Sequence, residues 1–165
     1  MSTLGYWFHI SLLLIAGLGC SRSHAGQPER SPIIESGEVD ADILQVCFDR
    51  LDRKMTMKAN SLEAGEFFEQ WNLRARLNLT VSKVNPKLRF NGNFENVKAI
   101  DILEEFCRQT GVDWIIAADV GGTGMIVDTP EKIKAFADKY PRTAALIREY
   151  RKKRKDDKSG DDQKK

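Results

Sequence analysis

Apolar and polar positions alternate in two rhythms, and the switches between them mark out the elements of one small domain. From Ala41 to Asp52, Ile43, Leu44, Cys47, Phe48 and Leu51 form a helical stripe of about three turns. Lys54 to Ala59 (KMTMKA) then changes to a period of two, the pattern of a strand with one buried face. Asn60 and Glu63 stand at capping-box spacing, predicting a helix start. Beyond them Ala64, Phe67, Phe68, Trp71 and Ala75 recur every three or four residues, an amphipathic helix with three aromatics on its inner face. Leu77–Val81 alternates again, Asn85-Pro86 breaks the chain, and Lys87–Asn91 predicts a further strand. Asn91-Gly92-Asn93 reads as a bend or bulge ahead of Phe94.

A second helix is predicted over about Lys98–Thr110, with Ile102, Leu103, Phe106 and Cys107 as its stripe and Gly111 as its stop. Val112–Ala117 is rich in branched and aromatic residues, Gly121–Gly124 reads as a turn, and Met125–Val127 closes a hairpin. Thr129-Pro130-Glu131 opens a short helix to Lys139. Pro141 interrupts it, and Arg142 to about Arg154 forms another. The order over 54–128 is β-α-β-β-α-β-β, with a leading helix and trailing helices: an α+β sandwich of two helices against short sheets. No repeat at solenoid periods is present.

The N-terminus follows different rules. Leu4–Gly19 is a 16-residue run without a charged residue, the length of a secretory apolar core and short of a membrane span. Two processing sites compete: Gly17-Leu18-Gly19-Cys20, in the manner of a bacterial lipobox with Cys20 as the lipidation site, and Ser23-His24-Ala25, a small-x-small cleavage pattern. Residues 1–25 are read as a signal peptide, 26–40 as a flexible linker, 41–130 as the α+β domain with its leading helix, 131–155 as a helical extension, and 156–165 as a disordered charged tail.

Charge adds one asymmetry. The chain sums to +2, yet residues 151–165 hold eight Lys/Arg against four Asp, so the basicity belongs to the C-terminus. Arg151–Lys155 reads as a solvated helix end, because Asp156-Asp157 and Asp161-Asp162 dilute it and no aromatics interleave for base stacking. A cytoplasmic nucleic-acid-associated protein using that basic segment is the alternative reading of the whole chain.

Over about 53–130 the pattern resembles the short N-terminal domain shared by secretins and TonB-dependent signalling receptors. The residues that carry the resemblance are Met55–Ala59, Leu62, Leu77–Val81, Phe94–Leu103 and, most characteristically, Cys107-Arg108-Gln109-Thr110-Gly111-Val112-Asp113-Trp114. The resemblance implies two helices against small two- and three-stranded sheets, no catalytic residues, and a periplasmic adaptor that contacts partner proteins. Residues 131–165 depart from the family's usual settings, since they read as helices and tail, not as pore or barrel strands.

Candidate chemistry is sparse. Both histidines, His9 and His24, precede the domain, which removes the commonest general base and metal ligand from it. Neither a catalytic site, a metal site nor a cofactor is predicted, and no small-molecule substrate or nucleic-acid partner. Gly121–Gly124 lacks the following helix and Lys-Ser/Thr pair of a phosphate loop. Cys47 and Cys107 sit on apolar stripes and are either packed free thiols or a disulfide joining the leading helix to the helix over Lys98–Thr110. The reading is therefore an exported envelope protein, lipid-anchored or periplasmic, that binds another envelope protein without catalysis. A partner strand is expected to add at an edge marked by Leu88 and Phe90 or by Met125 and Val127.

Overall fold

The computed structural model of the chain describes residues 37–82, 84–119 and 122–162. The signal peptide, Cys20 and the linker before Gly37 lie outside the described residues. The elements run α1 (Ala41–Leu51), β1 (Lys54–Glu63), α2 (Ala64–Ala75), β2 (Thr80–Val81), β3 (Arg89–Lys98), α3 (Ala99–Thr110), β4 (Asp113–Asp119), β5 (Gly122–Asp128), α4 (Pro130–Lys139) and α5 (Pro141–Asp162). This is a small α+β fold with two sheets, an antiparallel pair β1-β3 and a three-stranded sheet in the order β2-β5-β4.

The rhythms of the sequence explain most of these elements. On β1, Met55, Met57 and Ala59 are buried in alternation, and β1 pairs with β3 from Lys54↔Lys98 to Glu63↔Arg89. Helices α2 and α3 pack on this pair. Their aromatic faces meet it in one cluster: the Phe67 ring lies 4.5 Å from Phe106 and 4.7 Å from Phe90, centroid to centroid. Trp71, fully buried, satisfies its indole N–H by donating to the Ala99 carbonyl at 2.8 Å. Gly111 ends α3 in the left-handed region at φ 72°, its N–H returning to Cys107 O at 2.9 Å.

Four expectations need correction. Asn60 and Glu63 form no capping box. The chain stays extended to Glu63 because Leu62 pairs with Phe90, and Glu63 turns to Arg89 at 2.8 Å instead of capping α2. Asn91-Gly92-Asn93 is regular strand. The ladder is nonetheless irregular there, with the extra residue on β1: Asn60 and Ser61 oppose Asn91 alone, and a second shift lies beside Asn96, Ser61 and Asn96 both having positive φ. Side chains of the partner strand stabilise them: Asn91 Oδ1 accepts from Ser61 N–H, and Thr56 Oγ1 accepts from Asn96 N–H. The strand expected over Leu77–Val81 shrinks to Thr80–Val81. Leu77 and Leu79 are buried as their alternation requires, but Arg76 and Asn78 have φ of 54°. The Asn72 amide binds both Leu79 backbone groups in place of a neighbouring strand.

The fourth correction concerns the edges of the domain. Residues 37–40 are not linker. Val39 is buried, Gly37 O accepts from Ala118 N–H at 3.3 Å, and Glu38 caps α5 by accepting from Arg142 N–H, Thr143 N–H and Thr143 Oγ1. Thr143, itself buried, accepts from Val39 N–H at 2.8 Å, so the segment entering α1 and the start of α5 are tied together. Burial alone would raise the Glu38 pKa, but these hydrogen bonds and the Arg142 charge hold it below its ordinary value of 4.5. A depressed pKa contributes stability that is present above the ordinary value and lost as pH falls through the folded one. Glu38→Gln is therefore expected to cost about 1 kcal/mol at pH 7, as the loss of a charged cap. That difference should shrink as the pH drops below 4.5, measured by urea denaturation across the range.

The C-terminal helices are likewise part of the core. Ile133, Tyr140, Ala144 and Ile147 are buried, α4 and α5 cover β4, and Phe48 of α1 stacks on Tyr150 of α5 at 4.1 Å. The sequence reading ends the ordered helix at Lys155, whereas α5 continues to Asp162.

Candidate functional site

The strand edges come first, because a partner strand needs a free one. Met125 and Val127 do not supply it. β5 is the central strand of its sheet, paired in parallel with β2 at Thr80↔Gly124 and Val81↔Met125, and antiparallel with β4 from Asp113↔Asp128 to Asp119↔Gly122. Ser82 extends the first contact, its N–H donating to Met125 O and its Oγ accepting from Val127 N–H. Gly124 permits the parallel approach, since a Cβ there would stand 3.0 Å from the Thr80 carbonyl oxygen. β4 and β5 pair as the expected antiparallel hairpin, but the turn expected over Gly121–Gly124 is not there: Gly122, Thr123 and Gly124 belong to β5, and Val120 and Gly121 lie outside the described residues.

The Leu88–Phe90 edge is occupied as well. Leu88 N–H donates to Asn85 O, and its carbonyl accepts from Ala64 N–H. The fully buried Phe90 faces the core. The next residue, Asn91, gives both outward backbone groups to Gln109, whose Oε1 accepts its N–H at 3.2 Å and whose Nε2 donates to its carbonyl at 2.9 Å. A side-chain amide here stands in for a neighbouring strand. The outer edge of β4 is covered in a similar way, with Arg151 donating to Trp114 O at 2.8 Å and Gly37 O receiving Ala118 N–H.

What remains of the three-stranded sheet's outer edges is β2, and it adjoins a cleft. About 470 Å³ opens between α1 and the segment leading into β2, lined by Ile43, Val46, Cys47, Arg50, Leu77–Thr80, Gly122 and Thr123. Ile43, of the α1 stripe, and Val46, beside it, are 45% and 48% exposed, whereas Leu44, Cys47, Phe48 and Leu51 are buried. Arg50 spans the cleft, donating to Leu77 O at 2.9 Å, and supplies its one charged lining group. The cleft is open and next to a sheet edge, with Ile43 and Val46 as an apolar flank and a mostly polar floor that includes Arg50, Asn78, Thr80 and Thr123, a mixture that suits a peptide segment with its own backbone groups to pair.

The thiols fit no chemistry there. Cys47 and Cys107 are both free. The expected alternative of a disulfide is not realised, because they line different surfaces: Cys47 faces the α1–β2 cleft, and Cys107 faces Glu104, Asp113, Trp114 and Arg151. Burial raises the Cys47 pKa, and burial with the nearby Asp113 charge pushes Cys107 up to about 12. Neither is a thiolate at neutral pH. Among the described residues no group of three or more His, Cys, Asp or Glu is arranged to hold a metal, and no helix is long and apolar enough to cross a membrane.

One cluster went unread in the sequence. Arg154 is 6% exposed and donates to Asp101 and to Glu104 at 2.9 Å, with Asp52 at 3.7 Å. One turn earlier, Tyr150 donates to Asp52, while Arg151 grips Asp113 at 2.8 Å and lies over the Trp114 ring at 4.4 Å. The basic run is thus partly internal, fastening α5 to α1, α3 and β4. Its signal was present: Ala144, Ile147, Arg151 and Arg154 follow one another at helical spacing, so the arginines continue the buried stripe. No family model, curated protein or solved structure matches the chain.

Proposed function

We propose that this is an exported, non-catalytic envelope module that binds a protein partner through the α1–β2 cleft. The observation that carries the reading is the exposed apolar pair Ile43 and Val46 beside β2, an edge strand of the three-stranded sheet whose opposite edge, β4, is bonded at Trp114 and Ala118. The β-α-β-β-α-β-β order, split into two- and three-stranded sheets, supports likeness to the secretin and TonB-receptor short domain. So do the roles of Gln109, Thr110 and Gly111: the first covers the β3 edge, the second bonds Phe106 O, the third ends α3. Export rests on the apolar Leu4–Gly19 run and its two processing sites, Cys20 and Ala25.

Docking against the cleft would remove two half-exposed branched side chains from water, a gain of about 1 kcal/mol each. Carboxylates at these two positions would keep their water at the docking surface, even though Arg50, one turn on from position 46, can partner one of them. The double variant Ile43→Asp/Val46→Asp is expected to weaken partner capture at least tenfold while leaving the far-ultraviolet circular dichroism unchanged. Full capture by the folded double variant would refute the cleft. The nucleic-acid alternative loses ground, since Arg151 and Arg154 are spent on internal pairs.

A further inference from the structure

Helix α5 sorts its cations. Arg151 and Arg154 point inward to carboxylates, whereas Arg148, Lys152 and Lys155 stand exposed at i, i+4 and i+7, forming one stripe along the flank of the helix, with Lys155 bordering the recess that holds Glu104 and Asp113. Lys134 of α4 lines the same slot as Arg148, and it too is exposed. No ion pair engages any of the four among the described residues. The neighbouring Glu149, Lys153, Asp156 and Asp157 sum to −2 and offset the stripe in part, leaving it net positive. From these observations we propose that the α5 stripe, with Lys134, binds the headgroups of anionic phospholipids.

The shape and position of the stripe favour a lipid surface over other anions. Three cations spread over seven residues make a straight row about 10 Å long, suited to a plane of phosphates. No exposed aromatic interleaves to stack on bases, since Trp114 beneath the helix is buried and already covered by Arg151. Gly37 follows Cys20 by 17 positions, a tether of at most about 60 Å. A domain held so close to a bilayer meets it at high effective concentration, where weak charge contacts suffice. That proximity rests on the envelope reading, but binding to a vesicle does not.

The test uses the full chain and two vesicle populations, phosphatidylcholine alone and phosphatidylcholine with phosphatidylglycerol. Because the apolar leader contributes to both, the ratio of the two partition coefficients isolates the charge contribution. Each cation near an anionic surface is worth about a fivefold change in partition, so Arg148→Gln/Lys152→Gln/Lys155→Gln should lower the ratio about a hundredfold. The matched control Lys54→Gln/Lys58→Gln/Lys87→Gln, which removes three exposed lysines elsewhere, should change it less than threefold. Raised salt should abolish the wild-type preference. Equal wild-type binding to both vesicles would overturn the proposal, as would an α5 triple variant that keeps the preference. Wild-type retention on duplex DNA, lost in the α5 variant and accompanied by indifference to phosphatidylglycerol, would overturn it in favour of nucleic acid. Failure of partner capture at Ile43 and Val46 leaves this result untouched, so the two readings fail separately.

Discussion

Arg154→Ala should destabilise the folded protein by about 3 kcal/mol, far more than any other substitution in the basic run. The guanidinium is 6% exposed and bonds to Asp101 and Glu104, with Asp52 beside it. Deleting it leaves three carboxylates facing one another without a cation, the situation in which a broken buried pair costs about 3–5 kcal/mol. The lower end applies because Asp52 and Glu104 are 38% and 41% exposed at the side chain and regain water. Arg154→Lys restores the charge without the planar fork, so it should recover only part of the loss. Lys153→Ala, one position earlier and exposed, should change stability by less than about 0.5 kcal/mol. Urea denaturation followed by tryptophan fluorescence separates these outcomes. A loss below about 1 kcal/mol for Arg154→Ala would show that α5 is held by its apolar face alone.

A still larger loss, about 4 kcal/mol, is expected from Phe67→Ala. Phe67 is fully buried and sits in ring contact with Phe68, Trp71, Phe90 and Phe106, with centroids 4.5–6.4 Å away. These rings come from α2, β3 and α3, so the cavity left by the deletion has walls on three elements that cannot all move inward. The transfer energy of the ring is therefore lost and the cavity penalty is added nearly in full, as for large aromatic deletions in rigid cores. Phe67→Leu keeps most of the volume and should cost roughly half as much. The same denaturation experiment reads both variants, and near-equal costs would mean that the cluster relaxes around the gap.

Periodicity made the element order legible, since each helix stripe and strand alternation reports which side chains face the core. Phe67, Phe68 and Trp71 fell at helical spacing and are buried together. Gly111 followed the last apolar residue of α3 and caps it. Pairing was the part that local pattern did not encode. Met125 and Val127 alternate as any half-buried strand does, and nothing in their own sequence says that β2 lies on the far side. Leu77 and Leu79 alternate too, yet the Asn72 amide, from the preceding helix, replaces the strand partner. Edge coverage depends on such remote side chains, with Gln109 serving Asn91 and Arg151 serving Trp114. Charge misled for a related reason. Arg151 and Arg154 look solvated in a run of lysines, and their acidic partners Asp113, Asp101, Glu104 and Asp52 lie about 38 to 102 positions away. Of the cleft, spacing shows the α1 stripe and the Leu77–Leu79 alternation, but it does not tell that Ile43 is half-exposed or that the two walls face each other.

Site-specific photocrosslinking in intact cells tests the proposed docking site most directly. A photoreactive residue at position 46, on the exposed flank of the cleft, should give one discrete adduct with an envelope protein. The same residue at position 95, exposed on the β1-β3 sheet, should give none. Adduct at 95 but not at 46, or at neither position, would contradict the account.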